Sequence, residues 1–85
     1  MPNWRSVKSA FDRELRGYPH SVRYTHYDGE CPCYYVTMYG MADYDDDDAE
    51  YIFDAFDRIE EQFDLGQNEI DSSNDPDVTY QFLQD

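Results

Sequence analysis

The first part of the chain has the spacing of an amphipathic helix. Apolar side chains recur every three or four residues, as they do along one face of a helix. They are Trp4, Val7, Phe11 and Leu15. Gly17 tolerates the backbone conformation that ends many helices, and Pro19 prevents continuation. The pattern therefore predicts a helix over residues 3–16.

Residues 20–39 alternate between apolar and polar side chains, which indicates strands. Asp28 and Gly29 supply the chemistry of a tight turn, so this stretch predicts a β-hairpin. The second strand is rich in aromatic and β-branched residues. We expect one of its faces to cover the helices and the other to be partly exposed; these faces are Tyr34, Val36 and Met38, and Tyr35, Thr37 and Tyr39.

A second helix, predicted over residues 45–65, has two stripes. The apolar stripe consists of Ala49, Ile52, Phe53, Phe56, Ile59 and Phe63. The second stripe, which we call the carboxylate row, consists of Glu50, Asp54, Asp57, Glu61 and Asp64. At about 100° per residue the row is centred roughly 135° from the apolar stripe, so we expect it to face solvent. It would extend about 21 Å along the axis.

The end of the chain predicts a loop followed by one short strand. Residues 67–76 are rich in turn-forming types, with Ile70 expected to point inward. Residues 77–83 alternate in polarity, which predicts a strand at the edge of the sheet. The resulting order is α-β-β-α-β. We expect residues 1–85 to form a single small α+β domain, with two helices on a three-stranded, mainly antiparallel sheet.

Composition adds a strong and uneven charge. The chain has 85 residues, a formal net charge of −14 and 18% aromatic residues, which is enough apolar area for a folded domain. Residues 1–27 hold five of the six cations, and residues 28–85 hold 18 of the 20 acids. A duplex or an anionic membrane would repel the acidic part, whereas a basic groove would attract it. We expect no direct contact with nucleic acid or membrane.

Metal, catalytic and targeting signals are weak. Cys31, Cys33 and His26 could approach one another at the hairpin turn, but their spacing is unusual for zinc and a fourth ligand is missing. The run Asp45–Asp48 lacks the pattern of a calcium loop. No P-loop or other catalytic motif is present. We predict no metal, no cofactor and no enzymatic activity. Without an apolar leader or membrane span, we expect a cytoplasmic protein.

The carboxylate row has three competing explanations. A solvated helix face usually mixes the two signs of charge, but this row contains no Lys or Arg. Like charges four residues apart cost a few tenths of a kcal/mol each, so the row is not explained by helix stability. Adaptation to high salt would fit the excess of Asp over Glu and of Arg over Lys. A binding role fits the concentration of the acids on one element.

In size, charge and α+β character, the chain resembles the small acidic anti-defence proteins of phages and mobile elements. That class includes DNA mimics of the anti-CRISPR and anti-restriction type and inhibitors of DNA glycosylases. The resemblance implies an inhibitor, a monomer or homodimer in the host cytoplasm, that blocks the basic surface of a CRISPR-Cas subunit, restriction enzyme or other nuclease. The implied partner-binding residues are Tyr44, Asp45, Asp46, Asp47, Asp48, Glu50, Asp54, Asp57, Glu61 and Asp64. An immunity protein that masks a cognate nuclease, or a salt-adapted domain, remains the alternative.

Overall fold

The computed structural model describes residues 4–26 and 32–84 and has two helices on one antiparallel sheet. The helices are α1 (Trp4–Glu14) and α2 (Asp46–Phe63). The strands are β1 (His20–Thr25), β2 (Cys33–Met38), β3 (Leu65–Asp71) and β4 (Val78–Gln84). A short 3-10 turn at Met41–Asp43 connects β2 to α2. The predicted α+β class is confirmed, whereas the predicted Asp28-Gly29 turn lies outside the described residues.

The described residues form a sheet of four strands, not the three that were predicted. Its order is β1-β2-β4-β3, and every neighbouring pair is antiparallel. The predicted loop over 67–76 was wrong for residues 67–71, which belong to Leu65–Asp71 and pair along β4, and correct for residues 72–76, where the chain turns. β4 is therefore a central strand, although an edge strand was predicted. Ile70 pairs with the buried Tyr80 and so shares its face of the sheet, but it is 57% exposed because it lies on the edge strand, at the margin of the core. The expectation that Ile70 is buried was therefore wrong.

α2 begins and ends slightly inside its predicted bounds. Asp45 is the N-cap, and its Oδ1 accepts a hydrogen bond of 2.9 Å from the backbone N–H of Asp48. At the other end, Asp64 takes the left-handed conformation with φ 55°, and its backbone N–H donates to the carbonyl of Glu60. Asp tolerates this conformation better than most side chains, so Asp64 ends the helix.

One apolar core fills the space between the helices and one face of the sheet. The buried side chains of α2 are Ile52, Ala55, Phe56 and Ile59. Phe56 is the centre of an aromatic group, with ring centroids at 5.0 Å from Tyr80, 5.2 Å from Phe82 and 6.1 Å from Phe11. The buried face of β2 is the predicted one, Tyr34, Val36 and Met38.

Two apolar positions of the predicted helix stripes lie outside this core. Phe53 is 43% exposed and contacts Tyr80 edge-on, with centroids 6.1 Å apart. Trp4 is 39% exposed and stacks on Tyr24 at 5.6 Å. In both cases the ring covers the margin of the core with one face and meets water with the other.

α1 and α2 are neighbours and run in opposite directions. The C-terminal end of α1 lies beside the middle of α2, where the Tyr51 hydroxyl donates to the Glu14 carbonyl (3.0 Å) and Arg58 donates to the Glu14 carboxylate (2.9 Å). The N-terminal half of α1 shares a groove with Gln62 and Phe63 at the end of α2. The more basic and the more acidic helix therefore lie side by side in one layer.

Candidate protein-binding surface

The carboxylate row lies on the outer surface of α2. All five of its side chains are exposed, as the spacing predicted. At about 100° per residue, the row is centred about 170° from the buried residues of α2, which is further from the core than expected. The difference arises because the exposed Phe53 does not belong to the buried set and Ala55 does. The row therefore points directly away from the sheet.

The acids at the start of α2 have different environments. Asp45 caps the helix, and the half-buried Asp48 accepts a hydrogen bond of 2.8 Å from the Tyr18 hydroxyl. That hydrogen bond raises the pKa of Tyr18. Asp46 and Asp47 are exposed in the first turn, where they meet the positive end of the helix dipole. Asp45 and Asp48 thus have structural roles, whereas Asp46 and Asp47 extend the exposed acidic surface.

Tyr44 lies next to the acidic surface but is partly occupied by internal contacts. Its ring meets Tyr18 edge-on at 5.4 Å, and its hydroxyl donates to the Tyr39 carbonyl at 3.3 Å. The ring is half-buried. Tyr44 therefore helps to fix the turn before α2 and leaves one side available to a partner.

Two aromatic residues that the sequence did not predict at this site flank the carboxylate row. Tyr51 and Phe53 are each 43% exposed. At about 100° per residue they lie on opposite sides of the row, roughly 100° and 60° from its first member, Glu50. Tyr51 stacks against Tyr18 at 5.6 Å. The carboxylate row is therefore an acidic surface with one of these aromatic side chains at each margin.

The row is not neutralised by the ion pairs of the described residues. Those pairs join Asp12 to Lys8 and His20, and Glu14 to Arg58. The hydrogen bond to Glu14, with a further attraction from Asp54, raises the pKa of Arg58. Arg58 lies at the side of the row that faces α1. Its guanidinium donates its hydrogen bond to the Glu14 carboxylate of α1.

Like charge and burial both act on Glu60, next to the row. This half-buried side chain loses part of its hydration, and the loss raises the pKa of the carboxyl group. The neighbouring Asp57 raises it further. The ionised form of Glu60 is thus disfavoured in the folded protein, mainly by the loss of hydration and further by the charge of Asp57.

The other candidate sites have little supporting geometry. Among residues 4–26 and 32–84, no group of three His, Cys, Asp or Glu side chains is arranged to hold a metal ion. Cys33 is buried and accepts a hydrogen bond from Gln81, while Cys31 lies outside the described residues. Both ring nitrogens of His20 are engaged, by the Tyr18 carbonyl and by Asp12. No helix in the described part of the chain is long and apolar enough to cross a membrane.

Comparison of the chain with protein-family models, with curated proteins and with solved structures finds no match. The carboxylate row and its aromatic margins are therefore the basis for assigning a function.

Proposed function

We propose that this protein is an inhibitor that imitates a nucleic-acid backbone and occupies the basic nucleic-acid-binding surface of a nuclease or host defence complex. The observation that carries the proposal is the carboxylate row, which is exposed, faces away from the core and continues to the C-terminal end of α2. In this account the protein is not an enzyme and acts by steric and electrostatic competition in the host cytoplasm.

The position of the row along α2 does not serve folding. Acids stabilise the N-terminal turn of a helix but oppose the negative end of the dipole at its C-terminus. Glu61 and Asp64 lie at that end, and the last turn contains no basic residue. Such a placement lowers helix stability by a few tenths of a kcal/mol per charge. A surface that is kept despite this cost is typical of recognition.

The spacing of the row is close to that of a nucleic-acid strand. Five carboxylates over about 21 Å give one charge per roughly 5 Å along the helix axis. A strand of B-DNA has one phosphate per about 3.4 Å along the axis. Lys and Arg side chains that bind phosphates are long and flexible enough to compensate for this difference in charge spacing. The row therefore offers a basic groove a comparable series of negative charges on a firm scaffold.

The aromatic margins provide contacts that do not depend on charge. Tyr51 and Phe53 are partly exposed and held by internal ring contacts to Tyr18 and Tyr80. Aromatic side chains that are already ordered lose little conformational entropy when a partner covers them, and they are frequent energetic centres of protein interfaces. They would retain a partner that the charge of the row first attracts.

A phage-plating assay tests the proposal in cells. Bacteria with an active CRISPR-Cas or restriction system are challenged with a phage that the system targets, with and without expression of the protein. We expect wild type to restore plaque formation against at least one such system, and the variant D57K/E61K to fail. These two acids are chosen because neither takes part in capping or in the contacts between α1 and α2.

The matched control is D43K/D75K, which changes the net charge equally. Asp43 and Asp75 are exposed acids near the turn before α2, away from the C-terminal half of that helix. The control should restore plaques as well as wild type. Equal activity of a folded D57K/E61K variant, or no restoration by wild type in any nuclease-based system, would contradict the proposal.

A further inference from the structure

Two basic side chains at the end of α1, Arg13 and Arg16, form no ion pair among residues 4–26 and 32–84, although the chain has 20 acids. Both side chains are exposed. Arg13 lies in the last turn of α1, where a cation suits the dipole. The dipole explains its place along the helix but not the groove that it lines.

That groove has a basic wall and an apolar floor. It has a volume of about 510 Å³ and separates α1 from the last turn of α2. Its lining residues are Arg5, Ser6, Ser9, Ala10, Arg13, Gln62 and Phe63. Phe63 is half-buried and supplies the floor, while the two serine hydroxyls and Arg13 can donate hydrogen bonds. The chemistry of the groove fits a carboxylate-bearing segment.

The carboxylate row and the basic wall lie in the same helix layer. Both point away from the sheet, because each is opposite the buried side of its own helix. The layer therefore presents a basic strip, formed by Arg13 and Arg16 at the end of α1, beside the carboxylate row of α2. A two-fold axis parallel to the helices would place α1 of one molecule on α2 of another and repeat the contact in reverse.

The antiparallel packing of the helices also sets the register of that contact. Rotation about an axis parallel to the helices keeps each residue at its own level along the layer. Arg13 is next to Glu14, which contacts Arg58, and it lines the groove with Gln62, so it lies at the level of the turns around Arg58 and Gln62 of α2. It would therefore meet Asp57 and Glu61 of the second copy, and both interfaces formed by the rotation would be opposite in charge.

We infer that this protein forms a two-fold homodimer in which the basic strip of α1 covers the carboxylate row of a second copy. The inference does not depend on the proposed function. A carboxylate row that is covered by a second copy is not available to another protein. The dimer and a complex with another partner therefore exclude each other. Repulsion between two molecules of charge −14 is screened beyond about 8 Å at physiological ionic strength, whereas the direct contacts are shorter than that.

The size of the molecule allows such an interface. Its two larger extents are 38 and 25 Å. A stable interface needs about 800 Å² from each partner, which a face of these dimensions can supply. The partly exposed Phe63 and Tyr51 would add apolar contact within a mainly polar interface.

Sedimentation equilibrium at about 0.15 M ionic strength tests the inference directly. We expect wild type to approach twice its monomer mass of 10.1 kDa as its concentration rises toward about 1 mM. The variants R13E/R16E and D57K/E61K should each stay monomeric, because each brings like charges together at both contacts. An equimolar mixture of the two variants should form a dimer again, since both contacts regain opposite charges.

The control D43K/D75K should dimerise like wild type, which separates the row from the effect of net charge. Circular dichroism establishes that every variant is folded. Three results would overturn the inference: a wild-type protein that stays monomeric over this range, a folded single variant that still dimerises, or a mixture of folded variants that does not associate. The last two would place any dimer interface elsewhere.

Discussion

At the scale of single residues, identical carboxyl groups on α2 have opposite effects on folding. Asp48 accepts a hydrogen bond from Tyr18 and lies at the favourable end of the helix dipole. Glu60 is half-buried, and burial together with the charge of Asp57 raises its pKa. An acid whose folded-state pKa is raised is most favourable to folding when it is protonated, and this advantage is lost as the pH rises through that pKa.

The variant Glu60→Gln should therefore be more stable than wild type at pH 7, because it removes a charge that the folded state disfavours. The difference in the free energy of unfolding should shrink below about pH 4 and disappear near about pH 3, where the carboxyl group is protonated in both the folded and unfolded states. Urea denaturation at the two pH values measures both quantities.

Glu61→Gln is the matched control, since it removes one charge from the same turn at an exposed position. Its gain in stability at pH 7 should be smaller, because solvent already screens that carboxylate. A Glu60→Gln variant that is less stable than wild type at pH 7 would contradict the account of repulsion among the acids of α2.

At the scale of secondary-structure elements, α2 connects the core to the candidate site. Its inner side is held by the ring contacts of Phe56, and its outer side bears the carboxylate row. The row is therefore only as well ordered as the packing beneath it. The energetic importance of that packing differs greatly between Phe56, which is 1% exposed, and Phe53, which is 43% exposed.

Phe56→Ala should lower the free energy of unfolding by about 3–5 kcal/mol, because it leaves a cavity among several aromatic rings. Phe53→Ala, three residues earlier on the same helix, should cost less than about 1.5 kcal/mol, since that ring is already partly hydrated. Thermal or chemical denaturation compares the two variants. Equal losses for both, or a loss below about 1 kcal/mol for Phe56→Ala, would mean that the buried side of α2 is assigned incorrectly.

The elements with a clear period were predictable from the sequence, and the one without a period was not. Trp4–Glu14 and Asp46–Phe63 repeat at helical spacing, and Val78–Gln84 alternates as a strand does. Leu65–Asp71 has little alternation, because an edge strand with exposed polar side chains needs none. Its hydrogen bonds depend on pairing with the neighbouring strand β4, which the local sequence pattern of β3 does not encode.

The candidate site was predictable to a similar degree. The spacing of its acids indicated that the carboxylate row is exposed, since that conclusion needs only the geometry of one helix. The bond between Asp48 and Tyr18 joins residues 30 positions apart and depends on how α1 and α2 pack. The exposed position of Phe53 likewise depends on the path of the neighbouring strands, because it lies at the margin of the apolar stripe.

At the scale of the whole molecule, charge is divided between two adjacent helices. The strongly acidic side should attract a basic protein at long range, and salt should weaken that attraction. A salt-adapted protein would behave differently, since its acidic surface would favour the folded state at high salt without any partner. The response of binding to salt therefore separates mimicry of a nucleic acid from general salt adaptation.

The most direct measurement is displacement of a labelled DNA duplex from the defence complex that the plating assay identifies, followed by fluorescence anisotropy. We expect wild type and D43K/D75K to release the duplex with similar potency, less effectively as salt is added, and D57K/E61K to be at least about 100-fold weaker. Release of the duplex by folded D57K/E61K at wild-type concentrations, or inhibition of the complex with the duplex still bound, would contradict the account.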